Sequence, residues 1–187
     1  VAGTLIRGPV EGYFAQVNRA ALVDLAQQAL NEMSFDIRGA LPNSVRVASG
    51  GALELIHVLD GARYRDGPAP RVGGDTNPPK YYYLQFNTAD ADFNLLGTFT
   101  QIGSSRPLTL SNAYLVIYNL GISGSGTCGT SSGGANAYDA RCVITPAGTS
   151  ITVSTSSPSF GNEDHIHLGA AFQFAYPSPN KRIYLVD

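Results

Sequence analysis

A chain of 187 residues is one domain's worth of sequence and is long enough to bury a self-supporting core. Only 14% of its residues are charged and the net charge is −2, with no cluster of Lys and Arg, which argues against a nucleic-acid partner because neutralising phosphates needs grouped cations. Gly, Ser, Thr, Asn and Tyr are abundant while Lys occurs only at positions 80 and 181, the composition of an extracytoplasmic β protein.

The first element is a helix. Leu22, Leu25, Ala29, Met33, Ile37 and Leu41 recur every three or four residues and form an apolar stripe, with Asp24, Gln28, Asn31 and Arg38 on the far side. Pro9 suits the first helical turn, where its missing N–H costs nothing. Pro42 disfavours the α region for Leu41, so the helix is expected to end near Ala40 or Leu41. The stripe needs a partner surface, and the β-rich remainder of the chain is the expected one. Val1 to Ile6 are too few to span a bilayer, and no stretch reads as a signal peptide or transmembrane helix.

Ser44 to Ala48 and Ala52 to Leu59 alternate around Ser49-Gly50-Gly51, which reads as a β-hairpin. From Asp60 to Lys80 the chain is polar, and Pro68, Pro70, Pro78 and Pro79 exclude helix and central strand. Further strands are expected at Tyr81–Phe86, Phe93–Phe99, Arg141–Ile144, Ser150–Thr155, Ile166–Phe174 and Arg182–Val186. Ala113 to Leu120, the most apolar run, is expected to be a central strand. Lys181-Arg182 reads as an ordinary strand flank. One helix followed by roughly eight short strands gives an α+β chain rather than alternating βαβ units.

Cys128 and Cys142 bracket a loop of Gly, Ser, Thr, Ala and Asn that has little apolar surface with which to hold itself in place. A disulfide between them would contribute about 3 kcal/mol in the chain-entropy model. Pairing in an oxidising compartment is the favoured reading, with two free thiols as its competitor. With no second pair of soft ligands, a metal site at these cysteines is not expected.

Several motifs come close to chemistry without completing it. Gly124-Ser125-Gly126-Thr127-Cys128-Gly129 satisfies the dinucleotide fingerprint, but no helix follows to hold a pyrophosphate. Gly129-Thr130-Ser131-Ser132-Gly133 matches a nucleophile elbow, with Asp164 and His165 downstream in hydrolase order, yet it lacks the flanking strand and helix. His165 and His167 share a strand face beside Glu163 and Asp164; a two-histidine metal pair is weighed against a polar strand edge, which is favoured because no third ligand is placed. His57 reads as a sheet residue. Asp90 and Asp92, near Asn87 and Asn94, are weak calcium candidates without EF-hand spacing, and a solvated acidic turn is the preferred reading. Tyr82, in Tyr81-Tyr82-Tyr83, is expected to face outward and could stack a sugar or peptide. None of these groups has the placement an active site needs, so no enzyme activity and no cofactor are expected.

A family resemblance rests on the helix and its exit. Residues Arg7-Gly8-Pro9-Val10-Glu11-Gly12-Tyr13, Arg19-Ala20-Ala21-Leu22-Val23-Asp24, Met33-Ser34-Phe35-Asp36-Ile37-Arg38 and Ala40-Leu41-Pro42-Asn43-Ser44-Val45-Arg46-Val47 resemble the type IV minor pilins, above all the MshO-type of mannose-sensitive haemagglutinin pili. Leu53-Glu54-Leu55 and Asp60-Gly61-Ala62-Arg63-Tyr64-Arg65 continue the likeness, which covers residues 7 to about 66. The J-type minor pseudopilins of type II secretion are similar but less so. This resemblance implies a pilin-like α+β fold with a long N-terminal amphipathic helix packed on an antiparallel β-sheet head. It reads as a single domain of residues 1–187, with a helical spine over 1–41 and a head over 42–187.

The resemblance also implies a leader cleaved and N-methylated by prepilin peptidase, and an apolar helix half lodged in the inner membrane. Thr4-Leu5-Ile6 is followed by Arg7-Gly8-Pro9 instead of a long apolar run, so this sequence is expected to lack that half and to be truncated at its C-terminal end too. The implied function is a structural minor pilin near the pilus tip that helps to start assembly. The alternatives are a type II secretion pseudopilin and an extracellular glycan-binding adhesin module. The expected partners are other minor pilins and the major pilin through the helix, and the inner membrane through the missing segment. The expected location is the periplasm and then the cell-surface pilus. Phe14, Val17 and Phe35 are the candidate subunit contacts, with burial under a head loop as the competing account of Phe35.

Overall fold

The computed structural model describes residues 2–68, 82–130, 132–139, 141–155 and 163–187; within the helix, side chains are described at residue 8 and from residue 10 onward. The chain divides into two compact units, Val1–Gly39 and Ala40–Asp187. The first is one helix, α1 (Ala2–Gly39), about 57 Å long at 1.5 Å per residue. It runs past Pro9, so that proline lies inside the helix, where it lacks the N–H that would reach Leu5. No described helix is long and apolar enough to cross a membrane.

The helix ends slightly before the expected boundary. Ala40 forms a bridge with His57, and the Leu41 N–H donates to the Ile56 carbonyl at 2.8 Å. Leu41 therefore leaves the helical stripe and is buried in the head, at 1% exposure. The stripe residues Leu22, Leu25, Met33 and Ile37 are exposed. Val23 and Phe35, off that stripe, are exposed as well, so apolar side chains are spread round the helix rather than gathered on one face.

Among the described residues the head contains nine strands: β1 (Arg46–Val47), β2 (Leu53–Glu54), β3 (Val58–Arg63), β4 (Asp90–Asn94), β5 (Leu108–Leu110), β6 (Tyr114–Val116), β7 (Ile151–Thr155), β8 (Asp164–Phe172) and β9 (Arg182–Val186). All described pairings between strands are antiparallel. Strands β1 and β2 form the expected hairpin, turned by Gly50 and Gly51 at φ 99° and 81°, a region open to glycine. The other sheets have the orders β3-β9-β6 and β4-β8-β7-β5. The chain is thus α+β, one long helix followed by antiparallel sheets.

The sheets share a core. Phe93, Ile151, Val153, Ile166 and Leu168 from the four-stranded sheet pack with Leu115, Ile183 and Leu185 from the three-stranded one, all at 0–1% exposure. Burying each such side chain contributes about 1.5–3 kcal/mol. A second cluster joins Leu41 to Val116, Ala137, Ile144 and Val186.

Several expected strands differ. Of Tyr81–Phe86, Tyr81 lies outside the described residues, and Tyr82 to Phe86 are not a strand. They bond to single residues instead: the Leu84 N–H to the Arg65 carbonyl, and the Asn94 N–H to the Tyr82 carbonyl. The apolar run at 113–120 yields only Tyr114–Val116, and β6 is an edge strand rather than central. Its outer side is covered by the irregular segment at 143–145, since Ile117 N–H donates to the Val143 carbonyl and Thr145 N–H to the Leu115 carbonyl. That segment replaces the strand expected at Arg141–Ile144. The strand expected at Phe93–Phe99 forms earlier, at Asp90–Asn94, β3 extends beyond Leu59 to Arg63, and β5 was not expected. The expected loop between Asp60 and Lys80 lies outside the described residues from position 69 on.

Candidate functional site

Strand β8 alternates. Asp164, Ile166 and Leu168 point inward, while His165 and His167 lie on the outer face. The registers of the four-stranded sheet set Thr109, Thr152, His167 and Asp92 in one row, with Ser154, His165 and Asn94 in the next. The result is a polar face over an apolar core layer.

One carboxylate oxygen organises this face. Asp92 Oδ1 lies 2.8 Å from His167 Nδ1 and 3.2 Å from His165 Nε2. The other nitrogen of His165, Nδ1, is 2.8 Å from Asn94 Oδ1. The Tyr82 ring packs on the His165 imidazole with centroids 4.7 Å apart. Burial of His165 holds its pKa below the usual imidazole value, although the Asp92 carboxylate pulls the other way. Tyr82 is exposed, as expected, but one side of its ring is already occupied by His165.

The calcium candidates Asp90 and Asp92 are committed to different partners. Asp90 accepts the backbone N–H of Asp92 through Oδ1 and that of Gln85 through Oδ2, both at 3.2 Å. Asp92 turns instead to the histidines. Among the described residues no group of three or more His, Cys, Asp or Glu is placed to hold a metal ion. The face can donate and accept hydrogen bonds, with the Thr152 and Ser154 positions opposite His167 and His165.

The hydrolase arrangement does not assemble. Asp164 faces the opposite side of β8 from His165 and is 1% exposed. Its Oδ1 accepts from Arg106 Nε at 3.0 Å, and its Oδ2 from Arg106 Nη2 at 2.8 Å and the Phe99 N–H at 2.9 Å. The carboxylate in turn raises the pKa of the Arg106 guanidinium. Ser131 lies outside the described residues.

Cys128 and Cys142 are disulfide-bonded, with Cα atoms 5.3 Å apart. Gly124, Gly126, Gly133 and Gly134 sit where the backbone packs closely, whereas Gly129, at φ 84°, has open space around it. A Cβ on Gly124 would come within 2.4 Å of the Gly134 nitrogen, and one on Gly133 within 2.3 Å of the Thr127 carbonyl oxygen. Arg141 Nη2 donates to the Gly126 carbonyl at 2.6 Å, and the Tyr176 hydroxyl to the Thr130 carbonyl at 2.9 Å. Among the described residues no helix directly follows Gly129, so the fingerprint match lacks the helix N-terminus that would hold a pyrophosphate. Tyr138 ties this region to the β1–β2 hairpin: its hydroxyl donates to the Ser44 carbonyl at 2.9 Å, and the Arg46 guanidinium lies 3.5 Å from its ring centroid.

His57, on the exposed surface, has Nδ1 3.3 Å from Asp187 Oδ1. The candidate subunit contacts Phe14, Val17 and Phe35 are exposed on α1 at 59%, 45% and 77%. Sequence reasoning placed the two histidines together but missed their partner Asp92 and the Arg106–Asp164 pair. No local spacing signals either contact, because each joins residues 58 or more positions apart.

No protein-family model matches the chain, and neither does any curated protein or any solved structure.

Proposed function

We propose that this chain is a structural, non-enzymatic subunit of a type IV pilus, a minor pilin that acts near the tip and helps to initiate assembly. The observation that carries this reading is α1, a 38-residue helix with exposed Phe14, Val17, Leu22, Leu25 and Phe35 distributed around it. A helix that is apolar on several sides is suited to being surrounded by other helices, as in a filament core. The residues that resemble minor pilins lie along this helix and its exit, and the following disulfide-bonded β head agrees with that order. The partners on this reading are other minor pilins and the major pilin through α1, with the inner membrane engaged by the full-length protein before assembly. The periplasm and the cell-surface pilus are the corresponding locations.

Deletion of the gene tests it. Surface pili are expected to be lost or sharply reduced, and restored by the parent chain in its full-length form but not by Phe14→Glu with Phe35→Glu. Unchanged piliation would sink the reading, and a secretion defect with normal pili would move the chain to the pseudopilins.

A further inference from the structure

Arg63 on β3 and Arg182 on β9 stand directly opposite each other in antiparallel register. Like charges so placed repel. Four cations gather at these strand ends, and two are neutralised: Arg65 Nη2 lies 2.5 Å from Glu163 Oε1, and Lys181 Nζ 2.7 Å from Asp66 Oδ1. Arg63 and Arg182 are exposed, and neither has a carboxylate partner among the described residues.

Both arginines line an open groove of about 460 Å³ together with Gly61, Gly97, Thr98 and Tyr184. A second cavity of about 290 Å³ shares Arg182 and Tyr184 as its wall. Gly61 pairs with Tyr184 across the strands, and a Cβ at Gly61 would touch the ring at Cδ1 and Cε1, 3.4 and 3.6 Å away. The glycine thus leaves that edge of the aromatic ring uncovered beside the two guanidiniums.

We propose that this groove binds an acidic saccharide, a residue of the uronic-acid type whose carboxylate bridges Arg63 and Arg182 while the C–H face of its ring rests on Tyr184. Planar guanidiniums match a carboxylate in two-point geometry. An aromatic side chain offers an apolar surface with a polar tip, which suits a ring with one C–H face and a hydroxylated rim. At about 460 Å³ the groove has the size of a small-ligand site. A peptide adding as a strand fits poorly, because the outer edge of β3 is already used at this point: the Leu96 N–H donates to the Arg63 carbonyl at 2.6 Å, and Tyr64 forms a bridge with Leu95. The proposal stands independently of the pilus reading.

Calorimetric titration of the 187-residue chain with trigalacturonate tests it, with galactotriose, inorganic phosphate and tri-glutamate as comparison probes. Trigalacturonate is expected to bind at least tenfold more tightly than the other three. Arg63→Gln and Arg182→Gln are each expected to weaken it tenfold or more while melting no lower than the parent, since each removes a like-charge repulsion. His167→Gln, on the other sheet, is expected to leave binding unchanged. The proposal is overturned if trigalacturonate does not bind, if any comparison probe binds as well, or if the arginine variants bind like the parent.

Discussion

The guanidinium of Arg106 grips both carboxylate oxygens of Asp164 at 2.8 and 3.0 Å, with the two side chains only 8% and 2% exposed. A third donor, the Phe99 N–H, completes the carboxylate. An arginine so held cannot lose its partner without leaving a buried, uncompensated charge. Asp164→Ala is therefore expected to destabilise the chain by about 3–5 kcal/mol, lowering the melting temperature on the order of 10 °C. Thermal melts of the single variant and of Arg106→Met/Asp164→Leu check this. The double variant should lose less than Asp164→Ala, because no orphan charge remains.

The disulfide closes a loop with a sequence separation of 14. Replacing both Cys128 and Cys142 by Ser is expected to cost about 3 kcal/mol, read as a lower urea midpoint. A midpoint equal to the parent's would mean that the loop is held by its hydrogen bonds alone.

Gly133 tests the close packing within that loop. Gly133→Ala would set a methyl group 2.3 Å from the Thr127 carbonyl oxygen, a backbone atom that cannot swing aside. The expected loss is about 1–3 kcal/mol. Gly97→Ala is a useful contrast: nothing lies within 4 Å of its added methyl, and its φ of 120° is the only source of strain. Chemical denaturation of the two variants separates steric crowding from backbone strain.

Acid should weaken the head through His165. Burial lowers its folded pKa below that of the unfolded chain, against the pull of Asp92 and Asp90 and with a further push from His167. Between the two values the unfolded chain binds more protons, so stability rises with pH. The contribution of the neutral ring is fully present above the unfolded value of about 6.5. It is lost as the pH falls from there through the folded pKa. Melting curves from pH 8 to 5 should show a shallower loss for His165→Asn than for the parent. Asn94 and Tyr82, which also face the ring, are kept in both proteins. Parallel curves would remove His165 from the acid response.

Local pattern was legible where it controls local geometry. Arg182–Val186 is a strand with the expected bounds, because Ile183 and Leu185 alternate with Tyr184 about a single buried face. The same alternation put His165 and His167 on one side of β8. Hidden from the sequence was the sheet order, which sets β8 beside β4 and so brings Asp92 to histidines more than 70 positions away. The apolar run at 113–120 misled for a related reason. Its burial comes from core neighbours and an irregular covering segment, not from strands on both sides. Arg63 and Arg182 each look like ordinary polar flanks until register sets them face to face.

Strand β9 lies between β3 and β6, so the last of the nine described strands to leave a ribosome supplies the middle of the three-stranded sheet. Neither neighbour can find its hydrogen-bonding partner until residues 182–186 have emerged. The three-stranded sheet consequently cannot close before its C-terminal strand β9 has been made. A chain stopped at Asn180 is expected to present two unmatched strand edges and to be degraded or to aggregate rather than to persist as a smaller folded protein.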